Sequence, residues 1–283
     1  MKTEGSTVRP ATRDEIDIAI EWAAREGWNP GLHDAGCFHA TDPGGFLIGL
    51  VGGEPVATIS AVRYGSDFGF IGFYIVKPEF RGRGHGFRIW SEAMSSLAGR
   101  NVGLDGVVDQ QDNYRKSGFT LAYRNIRYEG RAMGIAPRPP GIVDLSTLPF
   151  SQVEAYDLPF FPAGRSAFLE CWIRQPGSVA LGLLRDGRLA GYGVRRKCRA
   201  GHKIGPLFAD SPDDAERLFL ALAAGPGEEE TLVLDTPEPN AQAIHLAERH
   251  GMNVVFETAR MYTGPAPDLP LDRLFGVTSF ELG

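Results

Sequence analysis

FGFIGFYIVKPEFRGRGHGFRIWSEAMSSLA, residues 68–98, decides the reading of this chain. Its first nine residues, Phe68–Val76, are aromatic and β-branched and predict a strand. Lys77-Pro78-Glu79-Phe80 is short and polar, and its proline ends the ladder. From Gly86 onward, Phe87, Trp90, Met94 and Leu97 recur at helical spacing, and Ile89 and Ala93 widen the stripe. Arg81-Gly82-Arg83-Gly84-His85-Gly86 is therefore a glycine-rich loop between a strand and a helix N-terminus. The first amides of a helix have no partner within it, and the helix dipole is positive there. Glycines let backbone N–H groups close on an anion, and Arg81 and Arg83 add charge beside them. A phosphate or pyrophosphate is the expected occupant.

The spacing narrows the choice of phosphate ligand. A P-loop needs Gly-Lys-Ser/Thr after the glycines, but Gly86 is followed by Phe87-Arg88. A dinucleotide fingerprint counted from Gly82 needs a glycine where Phe87 stands. What remains is Arg-x-x-Gly-x-Gly. It resembles the acetyl-CoA pyrophosphate loop of the GNAT acetyltransferase superfamily, and the preceding Tyr74-Ile75-Val76 and Lys77-Pro78-Glu79-Phe80 fit that family too. The bland alternative is a flexible basic turn; the order strand, loop, helix favours the cofactor loop.

The chain has 283 residues, 43% of them hydrophobic and 23% charged, a globular composition long enough for two ordinary domains. A net charge of −6 speaks against a sequence-independent grip on nucleic acid. Cys37, Cys171 and Cys198 are far apart, odd in number and lack metal-ligand spacing, so no metal and a reduced, cytoplasmic setting are expected. MKTEGSTVRPATRDE has no apolar core of a signal peptide, and no apolar run approaches the ~20 residues of a membrane helix.

Along the chain, Thr12-Arg13-Asp14-Glu15 opens a helix in capping-box style, with Ile16, Ala19, Ile20 and Ala23 on one face. Residues 27–40 read as a loop. A hairpin over 46–64 follows, then the 68–98 unit and strands near 102–108 and 119–128. A single shift of 133 positions lays Gly49-Leu50-Val51 over Gly182-Leu183-Leu184, Arg63 over Arg196 and Gly118 over Gly251. The second half repeats the order of elements, which points to duplication. Arg131-Ala132-Met133-Gly134 and the prolines that follow to Gly141 read as a linker. The expected division is 1–130, a catalytic domain; 131–141, a linker; and 142–283, a degenerate copy. Under the same shift residues 81–86 fall on Asp214-Ala215-Glu216-Arg217-Leu218-Phe219, which has no glycine and two carboxylates, so the second copy is not expected to hold CoA.

The resemblance implies roles for particular residues. Residues 81–86, with His85 among them, would hold the CoA pyrophosphate, and backbone amides of Tyr74, Ile75 and Val76 would polarise the thioester carbonyl. Gly69 and Gly72 within that strand make a bulge or an opened ladder plausible. The family's sulfur-protonating tyrosine stands four residues before a Gly-Phe pair, which here is Tyr114 before Gly118-Phe119. A phenol with pKa about 10 is protonated at neutral pH; the plain alternative is a tyrosine that merely packs on the sheet. The family's asparagine seven residues earlier is Val107 here, and Asn113 is the substitute candidate for gripping the CoA arm. No general base stands out among Asp105, Asp109, Glu26, His33 and Asp34.

Further stretches, including Glu26-Gly27-Trp28-Asn29-Pro30-Gly31, Lys203-Ile204-Gly205-Pro206-Leu207 and Phe275 through Gly283, resemble bacterial GNAT proteins with a degenerate second domain. The expectation is an α/β protein of tandem GNAT-like domains, each a mixed twisted sheet with flanking helices. It would move an acetyl group from acetyl-CoA to a primary amine of a small molecule or peptide by direct attack in a ternary complex. It would touch neither nucleic acid nor membrane, and would act as an internal pseudo-dimer or a homodimer. The rivals are a non-catalytic acyl-CoA sensor and an unrelated ATP- or NAD-binding protein.

Overall fold

A computed structural model of the chain describes residues 5–227 and 229–283. The first half runs β1 Ser6–Pro10, α1 Arg13–Arg25, α2 Asp34–Thr41, β2 Phe46–Val51, β3 Glu54–Tyr64, β4 Phe68–Val76, α3 His85–Ser96, β5 Asn101–Val107, α4 Gln111–Lys116 and β6 Thr120–Arg131. The second runs β7 Ile142–Asp144, α5 Phe150–Asp157, α6 Ser166–Trp172, β8 Val179–Arg185, β9 Arg188–Lys197, β10 His202–Ala209, α7 Pro212–Ala223, β11 Thr231–Pro237, α8 Ala241–Arg249, β12 Asn253–Tyr262 and β13 Leu274–Gly276.

Local chemistry explains the elements the pattern predicts. Thr12 and Glu15 form a reciprocal capping box at the start of α1, whose Ile16, Ala19, Ile20 and Ala23 are buried. Where a loop is expected at 27–40, the chain forms α2 instead. Its His33 cap makes no side-chain hydrogen bond, so this helix depends on packing rather than on local signals: Ala35, Cys37 and Phe38 are buried, and Phe38 stacks 5.8 Å from Trp172 of α6. Cys37 and Cys171 are bonded across the same contact, in contrast to the free thiols expected from their spacing. Cys198 is free and buried.

The strands form one sheet in the order β1-β2-β3-β4-β5-β12-β6-β11-β10-β9-β8-β7, with β13 beside β10. This order shows an exchange. β12, from the second half, lies against β5 of the first, and β6, from the first half, lies against β11 of the second. β6 and β12 pair with each other at the centre. Each exchanged strand carries an arginine into a buried ion pair on its host strand. Arg260 of β12 grips Asp105 of β5 at 2.9 and 2.5 Å, and Arg127 of β6 grips Asp235 of β11 at 2.7 and 2.8 Å. Arg127 and Arg260 stand 133 positions apart, the shift already seen in the sequence. Residues 132–134 stay tied to the second half through Ala132 N–H to Glu230 O and Met133 N–H to Ala223 O.

The two halves treat the centre of their sheets differently. β4 pairs in parallel with β5 only from Phe68 to Ile71, then diverges from it. A register shift opposite Thr58 and Ser60 and a φ of 48° at Phe73 mark a bulge at the point of divergence. In the second half β10 and β11 pair only from His202 to Ile204. Here β13 fills the opening: it pairs with β10, and Gly276 packs against Leu207 and Leu234. The connections differ as well. Residues 77–84 join β4 to α3, whereas only Asp210 and Ser211 join β10 to α7, and Ser211 caps that helix. The 133 shift thus fails locally; the second copy lacks the loop rather than carrying an altered one at 214–219.

Candidate active site

The opening between β4 and β5 is a cleft of about 680 Å³. Beyond Ile71 the edge of β4 that faces β5 has no ladder partner, so backbone amides along that edge are available to a ligand. Tyr74, Ile75 and Val76 line this side. At its end, Gly82 and Gly84 have φ of 73° and 87°, and a Cβ at either would meet nothing within 4 Å, so the loop needs glycine for its backbone and leaves open space above it. Gly84 is the N-cap of α3, a twelve-residue helix with no side chain capping its first amides. Those free amides and open glycines fit a pyrophosphate group. Gly86 lies so close to Tyr74 that a Cβ would stand 2.7 Å from the phenolic oxygen.

The flanking residues sort themselves by contact. Arg81 turns back, donating from Nε to Val76 O at 2.8 Å and from a terminal nitrogen to Glu26 at 2.5 Å, so it lines the cleft as part of an ion pair. Arg83 is exposed and sits 5.6 Å above the Phe80 ring, outside the cleft wall. His85 is half-buried, its ring 5.9 Å from Phe80, and its Nδ1 has no hydrogen-bond partner among the described residues. Asn113 is exposed and donates to Gln110 Oε1 at 2.8 Å; Gln110, rather than Asn113, lines the cleft.

Tyr114 enters from α4 and is 8% exposed. Its ring packs 5.7 Å from Trp90 and lies over Gly106, where any Cβ would collide with it. Its hydroxyl makes no hydrogen bond among the described residues, and Tyr114 lines the cleft. Burial, then the neighbouring Tyr74, push its phenol well above the ordinary tyrosine range. Tyr114 is therefore a protonated donor at any physiological pH.

Geometry speaks against two of the five residues considered for a base. Asp105 lines the cleft but is consumed by Arg260 and by Asn125, which donates to it at 2.8 Å. His33 lies in a separate shallow pocket beside the disulfide. Sequence reasoning passed over the cleft's other wall, Trp28, Arg127, Phe256, Thr258, Phe280 and Glu281, because the last four come from the second half, two on the exchanged β12 and two from the segment after β13. No group of three or more metal-ligating side chains, and no helix long and apolar enough to cross a membrane, occurs among the described residues.

A splayed parallel strand pair, a bulge, a glycine loop at a helix N-terminus and a buried phenol define an acyl-CoA-dependent acyltransferase fold of the GNAT class. The acetyltransferase (GNAT) family model matches residues 14–119, and an acetyltransferase (GNAT) domain model matches residues 153–276. Holothin acyltransferase of Pseudoalteromonas sp. (strain SANK 73390) is 32% identical over 278 residues, spanning 98% of this chain and 94% of that protein. The chain belongs to the GNAT acetyltransferase superfamily and is a tandem member of it. A solved structure from Pyrococcus horikoshii shares the fold at a TM-score of 0.83 and 24% identity, covering 99% of this chain and 96% of that one. A tandem GNAT protein from the clavulanic acid biosynthesis pathway does so at 0.63 and 16%, covering 93% and 100%. The family generally uses acetyl-CoA.

Proposed function

We propose that the chain is an N-acetyltransferase whose single working cleft is the β4–β5 opening, and that it acetylates a primary amine by direct attack in a ternary complex. The observation that carries this is the coincidence of the unpaired β4 edge, the open Gly82-Gly84 turn and the Tyr114 hydroxyl in one cleft. Acetyl-CoA supplies the activated acetyl thioester when bound. The amides opening α3, with Gly82 and Gly84, hold its pyrophosphate, and Arg83 supplies charge at the rim. The backbone of residues 74–76 donates to the thioester oxygen, where charge grows as the carbonyl is attacked. Tyr114 gives its proton to the departing sulfur. Direct attack, rather than an acyl-cysteine, is favoured because none of the three cysteines lines the cleft. The second half serves as wall and scaffold, its own opening being filled by β13. The Pseudoalteromonas relative is named for acyl transfer to holothin; only the transfer, not that acceptor, is carried over here.

The test mixes the protein with acetyl-CoA and a panel of amines and follows free thiol. Thiol release that needs an amine, and falls about 10²- to 10⁴-fold in Tyr114→Phe, is expected. Heat of acetyl-CoA binding with no thiol release for any amine would leave a sensor instead.

A further inference from the structure

The inference rests on the cleft just described and concerns its acceptor side. Phe256 of β12 and Phe280 bring two aromatic rings to the wall that faces Trp28, with Arg127 between them, 5.7 Å from the Phe256 ring and 4.8 Å from that of Phe280. Next to them is Glu281. Its backbone oxygen packs against Gly72 at the β4 bulge, so tightly that a Cβ there would collide. Glu281 is only 5% exposed, yet its carboxylate makes no hydrogen bond or ion pair among the described residues. It is also absent from the side-chain oxygens sealed away from solvent. Buried carboxylates are ordinarily paired, because an unpaired one loses its hydration without compensation. The three cations that act on it through space, Arg127, Arg196 and Lys203, spend their hydrogen bonds elsewhere. Arg127 holds Asp235, Arg196 holds Asp34, and Lys203 donates to Trp28 O at 3.4 Å.

We propose that Glu281 receives the attacking amine, and that the acceptor is a primary amine on a flat apolar body seated among Trp28, Phe256 and Phe280. The nitrogen lone pair forms the bond to the acetyl carbon, and the carbon–sulfur bond breaks with its electron pair on sulfur. Tyr114 protonates that sulfur, while Glu281 takes the proton the nitrogen sheds. Water then returns a proton from Glu281 to the Tyr114 phenolate, leaving amide and free thiol. The second half thus supplies the base to a cofactor site built by the first, from the segment after β13 that packs on Gly72.

Steady-state kinetics with acetyl-CoA and two probes, 1-naphthylmethylamine and methylamine, test this. The naphthyl amine should have at least a tenfold higher kcat/KM. In Glu281→Gln its kcat should fall about 10²-fold or more, with the heat of acetyl-CoA binding and Tm unchanged, and Glu281→Asp should recover part. Phe256→Ala should raise KM for the naphthyl amine alone, which keeps the acceptor site testable should Glu281→Gln fold poorly. Unchanged kcat in Glu281→Gln, or equal use of the two amines, overturns the proposal. Acetyl-CoA binding with neither amine acetylated overturns it while the cofactor site stands; no heat with acetyl-CoA overturns both.

Discussion

Tyr114 shows how much a single residue's surroundings decide. Burial and Tyr74 raise its phenol, so it stays protonated beyond the ordinary tyrosine value of about 10. The ratio of wild-type to Tyr114→Phe kcat should then stay constant from about pH 7 to pH 10; a ratio collapsing toward one by pH 9 would show a phenol that ionises early. Its seat is equally specific. Gly106→Ala would drive a methyl into the ring, and kcat should fall about tenfold or more while acetyl-CoA still binds to the intact Gly82-Gly84 loop. The wall proposed for the cofactor was legible in the sequence because a glycine loop, its helix and the Tyr-to-Gly-Phe spacing are contiguous. Asn113 follows from proximity in sequence, but Gln110, three residues earlier at the N-cap of α4, is the residue on the cleft. Glu281 was illegible as chemistry, since nothing local distinguishes a buried glutamate that faces a distant strand.

At the scale of elements, legibility follows whether the signal is local. α1 carries its own start signal in Thr12 and Glu15, and Arg9 and the Thr12 amide hold the Glu15 carboxyl down at about 2. A depressed pKa means stability present above the unfolded value of about 4.3 and lost as pH falls toward 2. The Tm gap between wild type and Glu15→Gln should be full at pH 6 and close by pH 2; a gap that persists at pH 2 would assign the loss to something other than charge. By contrast α2 has no local cap and exists through Phe38 and Trp172, so its apolar residues could not announce it. The exchange of β6 and β12 was likewise invisible, because alternation fixes which face a strand buries but not which neighbour it takes. Arg260 and Arg127 record the choice. Asp235→Ala leaves Arg127 buried without its partner and should cost about 3–5 kcal/mol by denaturant unfolding, whereas an exposed pair such as Arg13–Asp17 should cost under about 1 kcal/mol.

For the whole molecule, the exchange means that neither half owns a complete sheet. β6 leaves the first half to lie between β12 and β11, so residues 142–283 made alone would present β11 and β12 with exposed edges and no strand between them. Residues 1–131 alone would lack the β12 that covers β5, and Asp105 would lose Arg260. The linker begins later than its proline pattern suggests, since residues 132–134 are still bonded to the second half, and Ile135 at 97% exposure is the first clear point of access. A protease site inserted after Ile135 should therefore be cut without separating the halves. Cys37–Cys171 would hold them covalently, so the decisive measurement adds reductant. The nicked, reduced protein should still elute as one species near 30.8 kDa and melt in one transition, because the twelve-residue β6 and the ten-residue β12 each lie against strands of the other half. Two smaller species, or two transitions, would mean that the halves are docked rather than interlocked, and the acceptor wall would then belong to a separable partner instead of to the fold.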